Sequence, residues 1–364
     1  MHTGKWLRTG LNLSLAILLI VSCEKQNDLK APDPAKQNTK TPADFVVLPP
    51  VHYTTWFKGP NIPLPPFIKN WSGLFSAASF SISGKGYFVA GGVKNVVGMQ
   101  GTSTQTLCWD TATRAWSQKA SFPGYARTGA ASFVINNQGF VCTGVGDDYS
   151  TPTNENWQYN PAANTWTRKS PLPGVARSYA VGIGLGGKGY IGTGAPTSGG
   201  IDGGLWDWWQ YDPGTDRWTQ KTNLPISIGR WGAVSFADQA GGKAYVATGI
   251  RWPHDIGLSD CYEYDPVADA WTTMPDLPIG RCYAVGMSIP QGGIVGTGYN
   301  GYNYNDFYEF NFTTKTWGKM LSMSGQRFNA QGFAIGNTIY VGGGLYGLGD
   351  NDKTALDDFN SLNW

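Results

Sequence analysis

Tryptophan recurs through this chain at Trp56, Trp116, Trp166, Trp218, Trp271 and Trp317, with spacings of 60, 50, 52, 53 and 46 residues. A period near fifty constrains the fold more than any other feature, because a repeat unit of that size is one supersecondary element that must stack on its own copies. Most of these tryptophans stand in one local phrase: Asn164-Thr165-Trp166-Thr167, Asp216-Arg217-Trp218-Thr219, Asp269-Ala270-Trp271-Thr272. A Leu-Pro or Phe-Pro follows in most copies, as at Phe122-Pro123, Leu172-Pro173, Leu224-Pro225 and Leu277-Pro278, and then an arginine.

The rest of each unit reads as short strands. After the arginine comes a small-residue strand such as Ala130-Ala131-Ser132-Phe133. A second strand ends in glycine (Tyr87 to Gly92, Tyr190 to Gly194, Tyr245 to Gly249), and a third carries aromatics into a proline turn, as in Trp157-Gln158-Tyr159-Asn160-Pro161. Alternation bounded by Gly, Pro, Asn and Asp marks strands and turns. Fifty Gly, sixteen Trp, eighteen Tyr and sixteen Phe agree with an all-β chain rich in tight turns. Each unit is therefore four strands, a to d, with the Trp on d. One such sheet cannot bury its faces alone, whereas six arranged radially can. The expected fold is an all-β, six-bladed β-propeller of four-stranded antiparallel sheets. The glycine pair after an apolar strand, with its spaced Tyr and Trp, resembles the kelch motif over about residues 52–364.

The termini indicate how the ring closes. Asp357-Asp358-Phe359 matches the start of strand c, yet the repeat Trp would fall beyond residue 364, while Thr54-Thr55-Trp56-Phe57-Lys58 reads as an orphan strand d. The N-terminal strand is expected to complete the sixth blade. A rival alignment makes Trp364 the sixth repeat tryptophan.

Ahead of the repeats, Lys5 and Arg8 precede an apolar run from Leu11 to Val21 that is short for a bilayer span. Ile20-Val21-Ser22-Cys23 resembles the lipobox of bacterial lipoproteins, which implies cleavage, a lipid on Cys23, and anchoring at the cell envelope, most readily the outer membrane. Residues 1–22 are thus expected to be a signal peptide, 23–50 a flexible polar stalk and 51–364 the propeller. Loss of residues 1–22 would leave 25 basic against 25 acidic side chains. A near-neutral domain has no footprint for nucleic acid, and contact with the membrane is expected through the lipid alone.

Arg127, Arg177, Arg230, Arg281 and Arg327 share the position that opens strand a. Two residues before the strand-c aromatic stands an acid: Glu155, Asp207, Asp260, Asp306 and Asp357. The first unit has Leu74 and Gln105 instead, so both charges are missing together. An unpaired buried arginine is far costlier than a paired one, which favours five structural ion pairs. In kelch propellers that bind acidic peptides, arginines here line the pocket, and the resemblance keeps that alternative open.

Binding is expected on the loops between strands b and c, the segments that vary between units. Their candidate ligand contacts are Tyr149, Trp206, Arg251, Trp252, His254, Asp255, Tyr299, Tyr302, Tyr304 and Tyr346. Aromatic faces beside Asn and Asp suit sugar rings, and they equally suit peptides. A monomeric module for an extracellular glycan or protein is the leading expectation, without cofactor, metal site or assigned catalytic residue. The kelch resemblance also brings in two enzymes. A copper-radical oxidase of the galactose oxidase type needs two histidine ligands, and of His2, His52 and His254 only the last lies on a blade loop. A mutarotase resembling the six-bladed sialic acid enzyme needs only a proton donor and acceptor, for which His254 with Asp255, or a Glu with an Arg, would serve. Cys108, Cys142, Cys261 and Cys282 occupy unrelated positions, with free thiols as the default reading. Asp350-Asn351-Asp352 is a weak calcium pattern.

Overall fold

The computed structural model describes residues 55–64, 71–95, 100–147, 150–197, 203–251, 256–347 and 353–363. Residues 1–50, where a signal segment, lipidated Cys23 and stalk are expected, lie outside them.

Among the described residues there are six four-stranded antiparallel sheets and no helix. The second is typical: Ala131–Ile135, Gln138–Cys142, Asn156–Asn160 and Thr165–Lys169 pair in that order. Its strand b is buried almost throughout, as a strand packed on both faces must be, while strand a alternates buried and half-buried residues. The six innermost strands are Ala78–Ile82, Ala131–Ile135, Val181–Leu185, Val234–Asp238, Val285–Ile289 and Gln331–Ile335. Each touches the next and the last touches the first, so the sheets form a closed ring of blades. Serines stitch several of these contacts: Ser79 Oγ donates to Gly332 O at 2.8 Å and Ser132 Oγ to Ser79 O at 2.8 Å.

The sixth sheet closes the ring as the sequence implies. Gln331–Ile335, Thr338–Gly342 and Phe359–Asn363 are completed by Phe57–Lys58, with Phe57 opposite Ser361 and Lys58 opposite Asn360. Trp364 lies outside the described residues. The repeat tryptophans lean back toward the preceding blade. Every indole N–H donates to a carbonyl in the link leaving the preceding blade: Trp166 to Ala120, Trp218 to Ser170, Trp271 to Thr222 and Trp317 to Pro275, at 2.8–3.0 Å. Trp56 bonds Leu321 O and Trp116 bonds Pro60 O, so the N-terminal strand holds the strand-d place at both of its seams. Trp56 is half-buried rather than buried.

Two further sets of backbone bonds cross all six seams. One glycine two residues past each strand b (Gly91, Gly144, Gly194, Gly249, Gly298, Gly344) has φ between +98° and +104°. Its N–H donates at 2.8–2.9 Å to the residue opening the next blade: Arg127, Arg177, Arg230, Arg281, Arg327 and, closing the ring, Leu74. Only glycine takes that φ without strain, which explains the motif. Nearer the axis, Ser76, Gly129, Tyr179, Gly232, Tyr283 and Asn329 all adopt the left-handed conformation. Each donates its N–H at 2.7–3.1 Å to the same position of the blade before, from Gly129 to Ser76 round to Ser76 to Asn329. This closed circle of six bonds caps an axial cavity of about 190 Å³ walled by small residues such as Ala130, Ser132 and Gly182.

Candidate functional site

Strand a starts, and the b–c loops emerge, at the same end of each blade. The five arginines lie beneath those loops and are 0–2% exposed. Arg230 grips Asp260 with two bonds of 2.6 Å, and Arg281 grips Asp306 at 2.7 and 3.3 Å. Arg177 binds both oxygens of Asp207, and Arg127 pairs with Glu155. In all five, Nη1 also donates at 2.9–3.1 Å to a strand-b carbonyl: Thr143, Thr193, Thr248, Thr297 or Gly343. Burial alone would lift the Glu155 carboxyl, but the Arg127 hydrogen bond and charge outweigh it and hold it below its ordinary value. These guanidinium groups are occupied and enclosed.

One partner differs from the sequence reading. Arg327 binds Asp358 at 2.6 and 2.8 Å, not Asp357. In every paired blade the acid stands immediately before strand c, and in the sixth that strand begins at Phe359. Counting two back from an aromatic works where the second strand residue is aromatic, as with Trp209 or Tyr262. In the sixth blade that residue is Asn360, so the count slips by one. Asn360 Nδ2 donates to Asp358 at 2.9 Å, as Trp209 Nε1 does to Asp207 at 2.7 Å and Tyr262 Oη to Asp260 at 3.0 Å. Asp357 instead accepts from Asn61 Nδ2.

Above the arginines the mouth is asymmetric. The residue after each opening position is Thr128, Ser178 and Cys282 on blades two, three and five, but Phe75, Trp231 and Phe328 on blades one, four and six. Trp231 and Phe328 are buried under Tyr179, Tyr283 and Tyr299, which are themselves partly buried. Tyr179 and Tyr283 meet edge to face at 5.2 Å, Trp231 Nε1 donates to Tyr283 Oη at 3.0 Å, and Tyr299 lies 5.6 Å from Phe328. Sequence reasoning missed Trp231, Tyr179, Tyr283 and Phe328, because they sit in a stretch otherwise made of small residues. Their signal was the size of the side chain that follows the arginine.

The loops of blades four to six are tied to one another. Gly257 N–H donates to Asn300 Oδ1 at 3.0 Å, and Asn303 Nδ2 to Gly347 O at 3.2 Å. These amides, counted from sequence as suited to sugar hydroxyls, serve the loops instead. Of the candidate contacts, Trp206, Tyr302 and Tyr346 are 41%, 51% and 50% exposed. Arg251 and Tyr299 are half-buried. Tyr304 is a correction: at 6% exposure it lies under Tyr302, its ring 4.5 Å from the Arg281 guanidinium carbon, and it supports the ion pair rather than facing solvent. Tyr149, Trp252, His254, Asp255 and the Asp350–Asp352 pattern lie outside the described residues. The cysteines at 108, 142, 261 and 282 are buried and not joined in disulfides, and burial pushes Cys142 up to about 12.

No protein-family model matches the chain. It is 26% identical over 159 residues to Kelch-like protein 25 of Xenopus tropicalis, covering 42% of this chain and 26% of that protein. It is 30% identical over 144 residues to Kelch-like protein terF of Aspergillus terreus, covering 37% of this chain and 31% of that one. The chain thus spans less than a third of the length of these curated relatives. The solved structure of YjhT superposes with a TM-score of 0.68 at 18% identity, over 83% of this chain and 95% of that one. Together these similarities support a kelch β-propeller.

Proposed function

We propose that this kelch-type propeller is a recognition module whose loop face over blades three to six takes an extracellular glycan, held at a bacterial envelope by a lipid on Cys23. The observation that carries the reading is the aromatic mouth. Tyr179, Tyr283 and Tyr299 are only partly buried at the axis, with Trp206, Tyr302 and Tyr346 exposed among the b–c loops. Such rings offer flat apolar faces to the C–H side of a sugar at small entropic cost, and loop-to-loop bonds hold blades four to six in place before a ligand arrives. The arginines beneath are each paired with an acid and buried, so recognition falls to stacking and loop polar groups rather than to a charge trap.

A glycan array, followed by proton-exchange NMR on each hit, tests this. Binding without faster anomer exchange is expected. Accelerated exchange would replace the reading with a mutarotase-type enzyme, and a protein ligand with no glycan hit would move it to peptide recognition. Metabolic labelling with a fatty acid, lost in Cys23→Ala, tests the anchor.

A further inference from the structure

At the seam between blades four and five, Lys315 Nζ donates to Glu263 Oε2 at 2.7 Å and also to Tyr245 Oη, which in turn donates to Glu263. Tyr245 and Glu263 are cross-strand partners on strands b and c. Lys315 stands two residues before the repeat Trp317, with φ of 55°. Base, phenol and carboxylate make a closed triad between two blades.

The seam that closes the ring repeats this arrangement with one part missing. Tyr340 is the partner of Ser361 in the sixth blade. Arg114 stands two residues before Trp116 in the first, with φ of 53°. Tyrosine and base are present, but serine occupies the place of the acid. In blades two to four the position of Arg114 holds Asn164, Asp216 and Asp269, each accepting the hydroxyl of a strand-c tyrosine at 2.6–2.8 Å. The first blade carries Trp109 in place of that tyrosine and a base in place of the acceptor.

A cavity of about 540 Å³ lies here, lined by Arg114, Tyr340, Ser361, Trp109, Thr338 and Lys58 among others, with no acid among its lining residues. The Arg114 guanidinium forms no ion pair with any described residue. Trp109 is 5% exposed, and its indole N–H, beside the Tyr340 hydroxyl, meets no acceptor at good hydrogen-bond geometry. A buried donor without an acceptor costs free energy that a ligand oxygen would relieve.

We propose that this cavity binds the carboxylate of a small organic acid, its oxygens standing where the Glu263 carboxylate stands two seams earlier. Arg114 supplies the charge, Tyr340 the hydroxyl, and Trp109 an indole face and its N–H. A ligand here bridges the first and sixth blades, so occupancy stabilises the closed ring.

The test compares benzoate with benzamide, its neutral counterpart of the same shape. Benzoate is expected to raise the melting temperature and shift the Trp109 indole N–H resonance, while benzamide does neither. Arg114→Gln, on an exposed turn, is expected to weaken benzoate binding by about tenfold or more, the scale of one charge-assisted hydrogen bond, with Arg114→Lys recovering part of it. Ser361→Glu should rebuild the triad internally, raising the melting temperature without ligand and abolishing the benzoate response. Equal responses to the two probes, no response of the wild-type protein to either, or unchanged binding in Arg114→Gln would overturn the proposal.

Discussion

The indole Nε1 of Trp56 donates to the carbonyl of Leu321 at 3.1 Å, joining residues 265 apart in the chain. Its ring also lies 5.0 Å from Phe307 of the fifth blade. The outer strand of the sixth blade is short, Phe57–Lys58, so this one side chain supplies much of what fixes it.

Trp56→Ala should therefore cost about 2 kcal/mol, less than a fully buried tryptophan because the ring is half-buried. Freed of its cover, Phe359–Asn363 becomes an edge strand open to pairing with other chains. Denaturant unfolding checks the first expectation, and light scattering below the transition the second. A variant as stable and as monomeric as the wild type would show that the strap does not hold the ring.

Asp358 and Asp357 are adjacent acids with opposite consequences. Asp358→Asn leaves Arg327 buried without a countercharge and should cost about 3 kcal/mol, whereas Asp357→Asn, which touches only exposed Asn61, should stay within about 0.5 kcal/mol. Burial raises the Asp358 carboxyl, but the Arg327 hydrogen bond and charge prevail and keep it below the ordinary value. With the folded value depressed, the stabilisation is complete above the unfolded pKa of about 3.9 and fades as pH falls through the folded value. Acid unfolding of the two variants beside the wild type reads both effects.

That single-residue slip shows where sequence reasoning stopped. The repeat, the glycine that recurs after strand b and the N-terminal strap were legible because each demands a residue type: an indole at each seam, glycine at φ near +100°, an orphan Trp56 phrase. Phe359 misled because an aromatic fits either of two neighbouring strand positions, one facing the core and one facing the acid. The circle through Ser76, Tyr179 and Asn329 was invisible because backbone groups make it, and its partners lie about fifty residues apart. Tyr302 and Tyr304 look alike in sequence, yet only one faces solvent, because Arg281 draws the other beneath it.

Glu309 occupies the fifth blade's counterpart of Glu263, but its cross-strand partner is Ile294 rather than a tyrosine. It is 1% exposed, its Oε1 has no hydrogen-bond partner, and burial raises its pKa to about 7. A raised carboxyl binds its proton more tightly in the folded state. Stability should therefore decline as pH rises from about 4.5 through 7, by on the order of 2 to 3 kcal/mol, and level off above. Glu309→Gln should abolish that slope and be the more stable protein at pH 8. Chemical denaturation across pH 5–8 measures it, and parallel curves for the two proteins would refute the assignment.

Trp206 and Tyr302 are exposed, so truncating them should leave the fold unaltered while removing stacking area from any glycan that the array identifies. Trp206→Ala and Tyr302→Ala are each expected to weaken such a hit by about tenfold, near 1.4 kcal/mol, with melting temperatures unchanged. Tyr304→Ala should do the reverse. Its ring covers the Arg281 guanidinium at 4.5 Å, so the variant exposes a buried ion pair and loses about 2–3 kcal/mol of stability, affecting binding only through the displaced Tyr302. Calorimetric titration alongside thermal unfolding separates the two classes. If Tyr304→Ala abolished binding at full stability while Trp206→Ala and Tyr302→Ala were silent, the ligand would lie deeper, against the arginine layer, and the loop face would lose its role.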